Sequence, residues 1–256
     1  METVKLRNML YLQWAKVQRT RNCFLAFCLL VIFSNSSFAQ KENYREEQDN
    51  KPYYFGLSLG MVSSRFQLEH HDSFLRQDSI LVAEPGNTGG ISLRLVAAAN
   101  LTNRFELRFN PGLIFTQRPI LFKLNPEYPP DLDQGYNISK SVESIITTFP
   151  LDIKFKSDRI GNFRVYALGG GKVDIDLASN AKKRKADDQI KISKYSYGVE
   201  YGIGFNFYRK SVTVSPELKI SNGLNNLHDR NPNLNYSRVI DRIQSRMIQF
   251  TIHLEG

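Results

Sequence analysis

The sequence predicts an all-β fold, an eight-stranded antiparallel transmembrane up-and-down β-barrel with long outside loops and short periplasmic turns, and three observations carry that expectation. The first is the stretch YSYGVEYGIGFNFY at 195–208. Tyr195, Tyr197, Val199, Tyr201, Ile203, Phe205 and Phe207 share one face, and Ser196, Gly198, Glu200, Gly202, Gly204 and Asn206 share the other, so the period is two and the segment is a strand. It is far longer than the about five or six residues of most soluble strands, and its polar face is largely glycine, which packs nothing but makes room where a narrow barrel closes. The second observation is that the connections alternate between long and short along the chain. The third is an export leader followed by no stretch apolar enough to cross a bilayer as a helix, which leaves a closed barrel as the way to span one.

Residues 1–39 read as a secretory signal peptide. Lys5, Arg7, Lys16, Arg19 and Arg21 precede an apolar run at 23–33, which is shorter than the about twenty residues of a membrane helix. Ser37-Phe38-Ala39 before Gln40 fits a small-x-small cleavage site, so the mature chain is expected to begin at Gln40, with synthesis starting at Met1 or Met9. Both cysteines, Cys23 and Cys28, fall in the leader, and Phe27 stands where a small residue would precede a lipid-modified cysteine. No thiol, disulfide or lipid anchor is therefore expected in the mature chain. Residues 1–39 hold five basic side chains and one acid, so the mature part keeps +5 of the formal +9. Its bases are scattered, which argues against a nucleic-acid partner.

Residues 40–52, QKENYREEQDNKP, are polar and charged and are expected to form a flexible periplasmic arm, with 53–256 as one barrel domain. The first strand, at 53–66, sets Phe55, Leu57, Leu59 and Met61 against Gly56, Ser58 and Gly60. The second and third are expected at 89–99 and 103–118. The fourth, at 141–156, alternates Ile145, Thr147, Phe149, Leu151, Ile153 and Phe155 with Thr148, Asp152, Lys154 and Lys156. The fifth follows at 162–177, the sixth at 195–208 and the seventh at 211–221. The eighth, at 238–254, alternates Ile248, Phe250, Ile252 and Leu254 with Gln249, Thr251 and His253. Long connections fall at 67–88, 119–140, 178–191 and 222–237, and tight ones near Asn100, at 157–161 and at Arg209-Lys210. Outer-membrane barrels have this asymmetry, whereas a soluble ligand-binding barrel has no reason to show it.

Gly56-Leu57-Ser58-Leu59-Gly60 is a formal G-x-S-x-G, but no helix follows to make the strained turn that activates such a serine. Ser58 reads as a structural residue, and His70, His71, His228 and His253 offer no base with an identifiable orienting acid. Gly169-Gly170-Gly171-Lys172 lacks the earlier glycine of a phosphate loop and has Val173 where Ser or Thr would hold magnesium. His70-His71 between Glu69 and Asp72 could hold a metal only weakly, because neighbours on a strand point in opposite directions. Lys182, Lys183, Arg184 and Lys185 form an exposed basic loop tip able to meet anionic headgroups or a partner. No catalytic, cofactor or metal residues and no small-molecule substrate are expected.

Glu106, Arg108, Asp152, Lys154, Glu200, Glu217 and Lys219 lie opposite the bulky apolar residues of their strands, so they should point into the lumen. An eight-stranded barrel is just wide enough to be filled by side chains, so these charges are expected to pair into a plug.

The strings FNPGLIFTQRPI (109–120), ESIITTFPLDIKFKSDRIGNFRVYALGGGK (143–172), YGVEYGIGFNFY (197–208) and SPELKISNGLNN (215–226) together resemble the PorT family. The shared pattern is Pro111-Gly112-Leu113, Gln117-Arg118, then Glu-Ser, Pro-Leu, Lys-Ser and Gly-Gly at the fourth and fifth strands. Thr148 stands where many members carry an acid. The resemblance covers nearly the whole mature chain and implies an outer-membrane component of the type IX secretion system, which exports proteases and adhesins and supports gliding. It implies outer-membrane lipid and other secretion components as partners, and supplies no catalytic residues. The alternatives are a general eight-stranded barrel for adhesion or membrane stabilisation, and, further off, a barrel enzyme or a soluble ligand-binding barrel.

Overall fold

The computed structural model describes residues 43–45, 47, 51–71, 74, 79–129, 135–178, 192–229 and 235–256, except the side chains of 235 and 238. The expected signal peptide, most of the arm and the basic loop at 182–185 lie outside them.

Ten strands lie among the described residues: β1 (Tyr53–His70), β2 (Ile80–Pro85), β3 (Asn87–Asn100), β4 (Phe105–Phe109), β5 (Gly112–Leu124), β6 (Asn137–Lys156), β7 (Phe163–Asp176), β8 (Tyr195–Tyr208), β9 (Thr213–Gly223) and β10 (Ile240–Glu255). They make eight staves. β2 and β3 are one stave interrupted at Gly86, and β4 and β5 are another interrupted at Asn110-Pro111. The second break is local, because Pro111 has no N–H to give, while its carbonyl still accepts from the Leu95 amide at 2.9 Å and the register on β3 and β6 continues across it. Every pairing is antiparallel, and β1 pairs with both β10 and β3, which closes the ring. Where β1 meets β3 the closed ring leaves no edge strand, while on the loop side β2 pairs, among the described residues, with β5 alone.

Outward positions form an apolar band, with Leu57, Leu59, Met61, Ile91, Leu93, Leu151, Ile203 and Phe250 among those exposed. On β1 the band runs from Tyr53 to Met61 and gives way to Ser63 and Arg65, a height that fits a tilted membrane strand of about nine to eleven residues. Rings cluster at its turn end, where Phe105 meets Phe155 and Phe163 meets both Phe205 and Phe207. Such rings suit a membrane interface.

The staves run further on the loop side than the sequence suggested. The second stave begins at Ile80 rather than 89, the third ends at Leu124 rather than 118, and β6 begins at Asn137 rather than 141. The physical reason is a change of phase. Within β6, Ile138 points inward, whereas Ile145, Phe149 and Leu151 point outward, so beyond the bilayer the apolar residues turn into the lumen. There Phe66, Ile80, Ile120, Phe122, Ile138, Ile192, Leu227, Ile240 and Ile243 pack as an apolar core that fills the outer end of the barrel. The eighth stave starts at Ile240, two residues later than expected, because Asn235–Arg238 form a one-turn helix, α1.

Candidate functional site

The lumen below this apolar core is a charge network, built by whichever inward positions the two-residue period assigns. Glu106, Arg108, Asp152, Lys154, Glu200, Glu217 and Lys219 all point inward, and none is more than 2% exposed. Arg108 reaches three carboxylates: Glu255 at 2.7 Å, Glu217 at 3.2 Å and Glu106 at 3.3 Å. Lys219 holds Asp152 and Glu200, each at 2.7 Å, and lies 3.5 Å from Glu217. Lys154 sits 3.6 Å from Glu106 and over the Tyr166 ring at 3.9 Å. The register accounts for part of the pairing, since Glu106 faces Lys154 across β4 and β6 and Glu217 and Lys219 are neighbours on the inner face of β9, whereas Arg108 faces Asp152 yet pairs with Glu255, Glu217 and Glu106, and Asp152 pairs with Lys219.

Several members were not singled out from the sequence, although the same parity marks them. Tyr54 donates to Glu106 at 2.7 Å and Tyr166 donates to Glu217 at 2.9 Å. Lys156 lies 3.3 Å from Glu106, and His253 Nε2 lies 3.4 Å from Glu217. Nearer the outer end, Arg118 pairs with Asp176 at 3.0 Å and stacks on Phe66, Lys172 pairs with Asp174, and Arg94 donates to Gln249. Among the described residues the buried set holds seven carboxylates and eight lysines or arginines, so the lumen is close to neutral. Buried charges are tolerated in a low-dielectric interior only when they are paired in this way.

The glycine face of β8 makes this filling possible. A Cβ on Gly204 would run into the Tyr166 ring, and one on Gly202 would lie 2.6 Å from the Leu218 carbonyl oxygen. Two narrow clefts lie among the described residues, one beside Tyr54, Glu106 and Lys156 and one beside Arg118, Asp174 and Asp176. Each has room for about one water molecule.

Ser58 lies mid-strand on the inner face of β1, 2% exposed, directly across from His253. The structure thus supplies the acid that was not evident in the sequence, Glu217 beside His253, yet Ser58 Oγ makes no hydrogen bond among the described residues. All three side chains are buried inside the barrel. Gly169 and Gly171 face outward and Gly170 faces inward, as ordinary strand residues. His70 Nε2 bonds to the Ala83 carbonyl at 2.9 Å, Asp72 lies outside the described residues, and no group of metal-binding side chains assembles among the described ones.

At the turn end the segment before β1 is tied down in part. The Tyr44 amide donates to Asn162 Oδ1 at 2.8 Å, Arg45 donates to the Glu255 carbonyl at 2.8 Å, and Arg159 donates to the Tyr44 carbonyl and stacks on Tyr208 at 3.8 Å. Tyr44 and Arg45, within the arm expected at 40–52, thus make hydrogen bonds to the turn end of the barrel.

Comparison with known families matches residues 38–229 to the outer membrane protein beta-barrel domain. The chain belongs to that family. It is an outer-membrane protein, and its eight-stave ring is the barrel of that domain. Among solved structures it is similar to Neisserial surface protein A, at 10% identity and a TM-score of 0.41, covering 78% of this chain and 96% of that one. It is also similar to OprG from Pseudomonas aeruginosa, at 13% identity and a TM-score of 0.40, covering 80% and 92%. A third is Ail, the attachment invasion locus protein of Yersinia pestis, at 12% identity and a TM-score of 0.36, covering 80% and 100%. No curated protein matches the sequence.

Proposed function

We propose that this outer-membrane barrel is a non-catalytic component of the type IX protein secretion system, needed for export of proteases and adhesins and, in gliding cells, for motility. The observation that supports a non-catalytic role is the filled lumen. Among the described residues its lower part is taken up by ion pairs and its outer end by apolar packing, which favours a barrel that acts through its surfaces. The pathway is supported by the resemblance of 109–120, 143–172, 197–208 and 215–226 to the PorT family. The surface favoured for partner contact is the periplasmic one, where cargo must arrive. There Tyr44 and Arg45 lie against Asn162, Arg159 and Ser211 and present a defined face beside the turns.

Deleting the gene tests the proposal. Loss of export, with cargo retained in the periplasm, is the expected result. Normal export from the deletion strain would overturn it in favour of a general adhesion or membrane-stabilising barrel. Trimming 41–51 and, separately, replacing Lys182, Lys183, Arg184 and Lys185 then shows which side works.

A further inference from the structure

Just above the apolar band, on the outward wall shared by β1 and β10, two arginines stand directly across from each other. Arg65 pairs in register with Arg246, and the row continues to Asn87 on β3 and Asn222 on β9. Like charges directly opposite on one sheet face destabilise the pairing, since their Cβ atoms are only about 5 Å apart, and an acid is the usual remedy. No acid stands in this row. Neither arginine makes an ion pair among the described residues, and Arg246 Nε is shielded from solvent with no acceptor. The nearest outward acid on β1 is Glu69, four residues or about 13 Å further along the strand, and it is taken up by Arg242 at 3.9 Å. Two residues below Arg246 lies Ile248, the last apolar residue of the band on β10, so the two arginines leave the backbone about 7 Å along the strand from the band's edge.

We propose that this row, Asn87, Arg65, Arg246 and Asn222, is a binding site for a phosphate on the headgroup of an anionic lipid in the outer leaflet. The guanidinium forks and the flanking amide side chains would supply donors with no carboxylate in the row, which is the chemistry a phosphate requires. The site's height matches a headgroup. The band below it, with Met61, Ile91, Ile248 and Phe250, would hold the lipid's acyl chains, which a free phosphate does not have. The long connections mark this end of the barrel as the outer one. The inference is independent of the secretion pathway and rests on the outer-membrane location alone.

The test uses the full barrel in nanodiscs and measures retention of phosphorylated lipid A, of the same lipid stripped of its phosphates, and of inorganic phosphate. Each arginine near an anionic surface is worth about fivefold in binding, so R65Q/R246Q should weaken retention of phosphorylated lipid A about thirtyfold. The stripped lipid should be held weakly and equally by wild type and variant, and inorganic phosphate should not displace the lipid. K123Q, an outward lysine on β5, should behave as wild type. A heat-shifted gel band confirms that each variant is folded. Unchanged retention of phosphorylated lipid A in the double variant, wild-type retention of the stripped lipid as strong as that of the phosphorylated one, or displacement by inorganic phosphate alone would each overturn the proposal.

Discussion

Arg108 is the side chain on which the lumen network depends most, and replacing it with methionine shows why. The substitution keeps the volume roughly constant but leaves three carboxylates in the barrel interior without their shared guanidinium. They are not equally orphaned. Glu106 keeps Lys156 at 3.3 Å and Lys154 at 3.6 Å, and Glu217 keeps Lys219 at 3.5 Å and the Tyr166 hydroxyl at 2.9 Å. Among the described residues Glu255 keeps only Lys154, at 4.0 Å. Removing one partner of a buried pair costs about 3–5 kcal/mol, mostly through the charge left behind, so R108M should lose about that much, and the loss should reside at Glu255. Neutralising that acid should then restore stability, with R108M/E255Q about 2 kcal/mol more stable than R108M although it carries one more substitution. Urea unfolding in lipid vesicles, followed by circular dichroism and heat-shifted gel mobility, measures this. Tryptophan fluorescence is of no use, because the single tryptophan, Trp14, falls in the expected leader. Strictly additive losses in the double variant would show that Arg108 and Glu255 do not depend on each other, and would refute the reasoning.

Three further outcomes follow from the geometry. G170A should destabilise the barrel by about 1–3 kcal/mol, because its Cβ would strike the Leu151 carbonyl and lie 2.7 Å from Asp152 Cα, whereas G169A, on the outer wall one residue away and meeting nothing nearer than the Glu200 carbonyl oxygen at 3.8 Å, should be silent; equal unfolding curves would sink the contrast. Planar bilayers should show negligible conductance from the wild-type barrel, and steady ion flow would contradict a filled lumen. A cysteine at Asn226 should react with an impermeant thiol reagent on intact cells and one at Lys210 should not, the reverse pattern inverting the orientation.

Much of this protein is set by local pattern. The period of two at 195–208 reproduced β8 to the residue, and the glycines alternating with Glu200 on its inner face already implied a narrow interior. The seven charges placed inward by parity all lie inward, because a strand's side chains alternate whatever surrounds it. What parity could not supply was the partner across the ring. Arg108 and Glu255 are far apart in the chain and sit on staves separated in the sheet order, and only the closed ring brings them to 2.7 Å. Closure likewise set Ser58 across from His253 and Arg65 across from Arg246, neither of which a strand pattern contains. The loop-side reach of β2, β5 and β6 was missed for a related reason. Apolar residues signal the membrane wall only while lipid lies outside, and above the bilayer the solvent changes sides, so Ile120, Phe122 and Ile138 turn inward and the alternation reverses. The sequence determined where the strands alternate; the bilayer's edge and the closing of the ring, both properties of the assembled barrel, decided which face meets water and which charges meet each other.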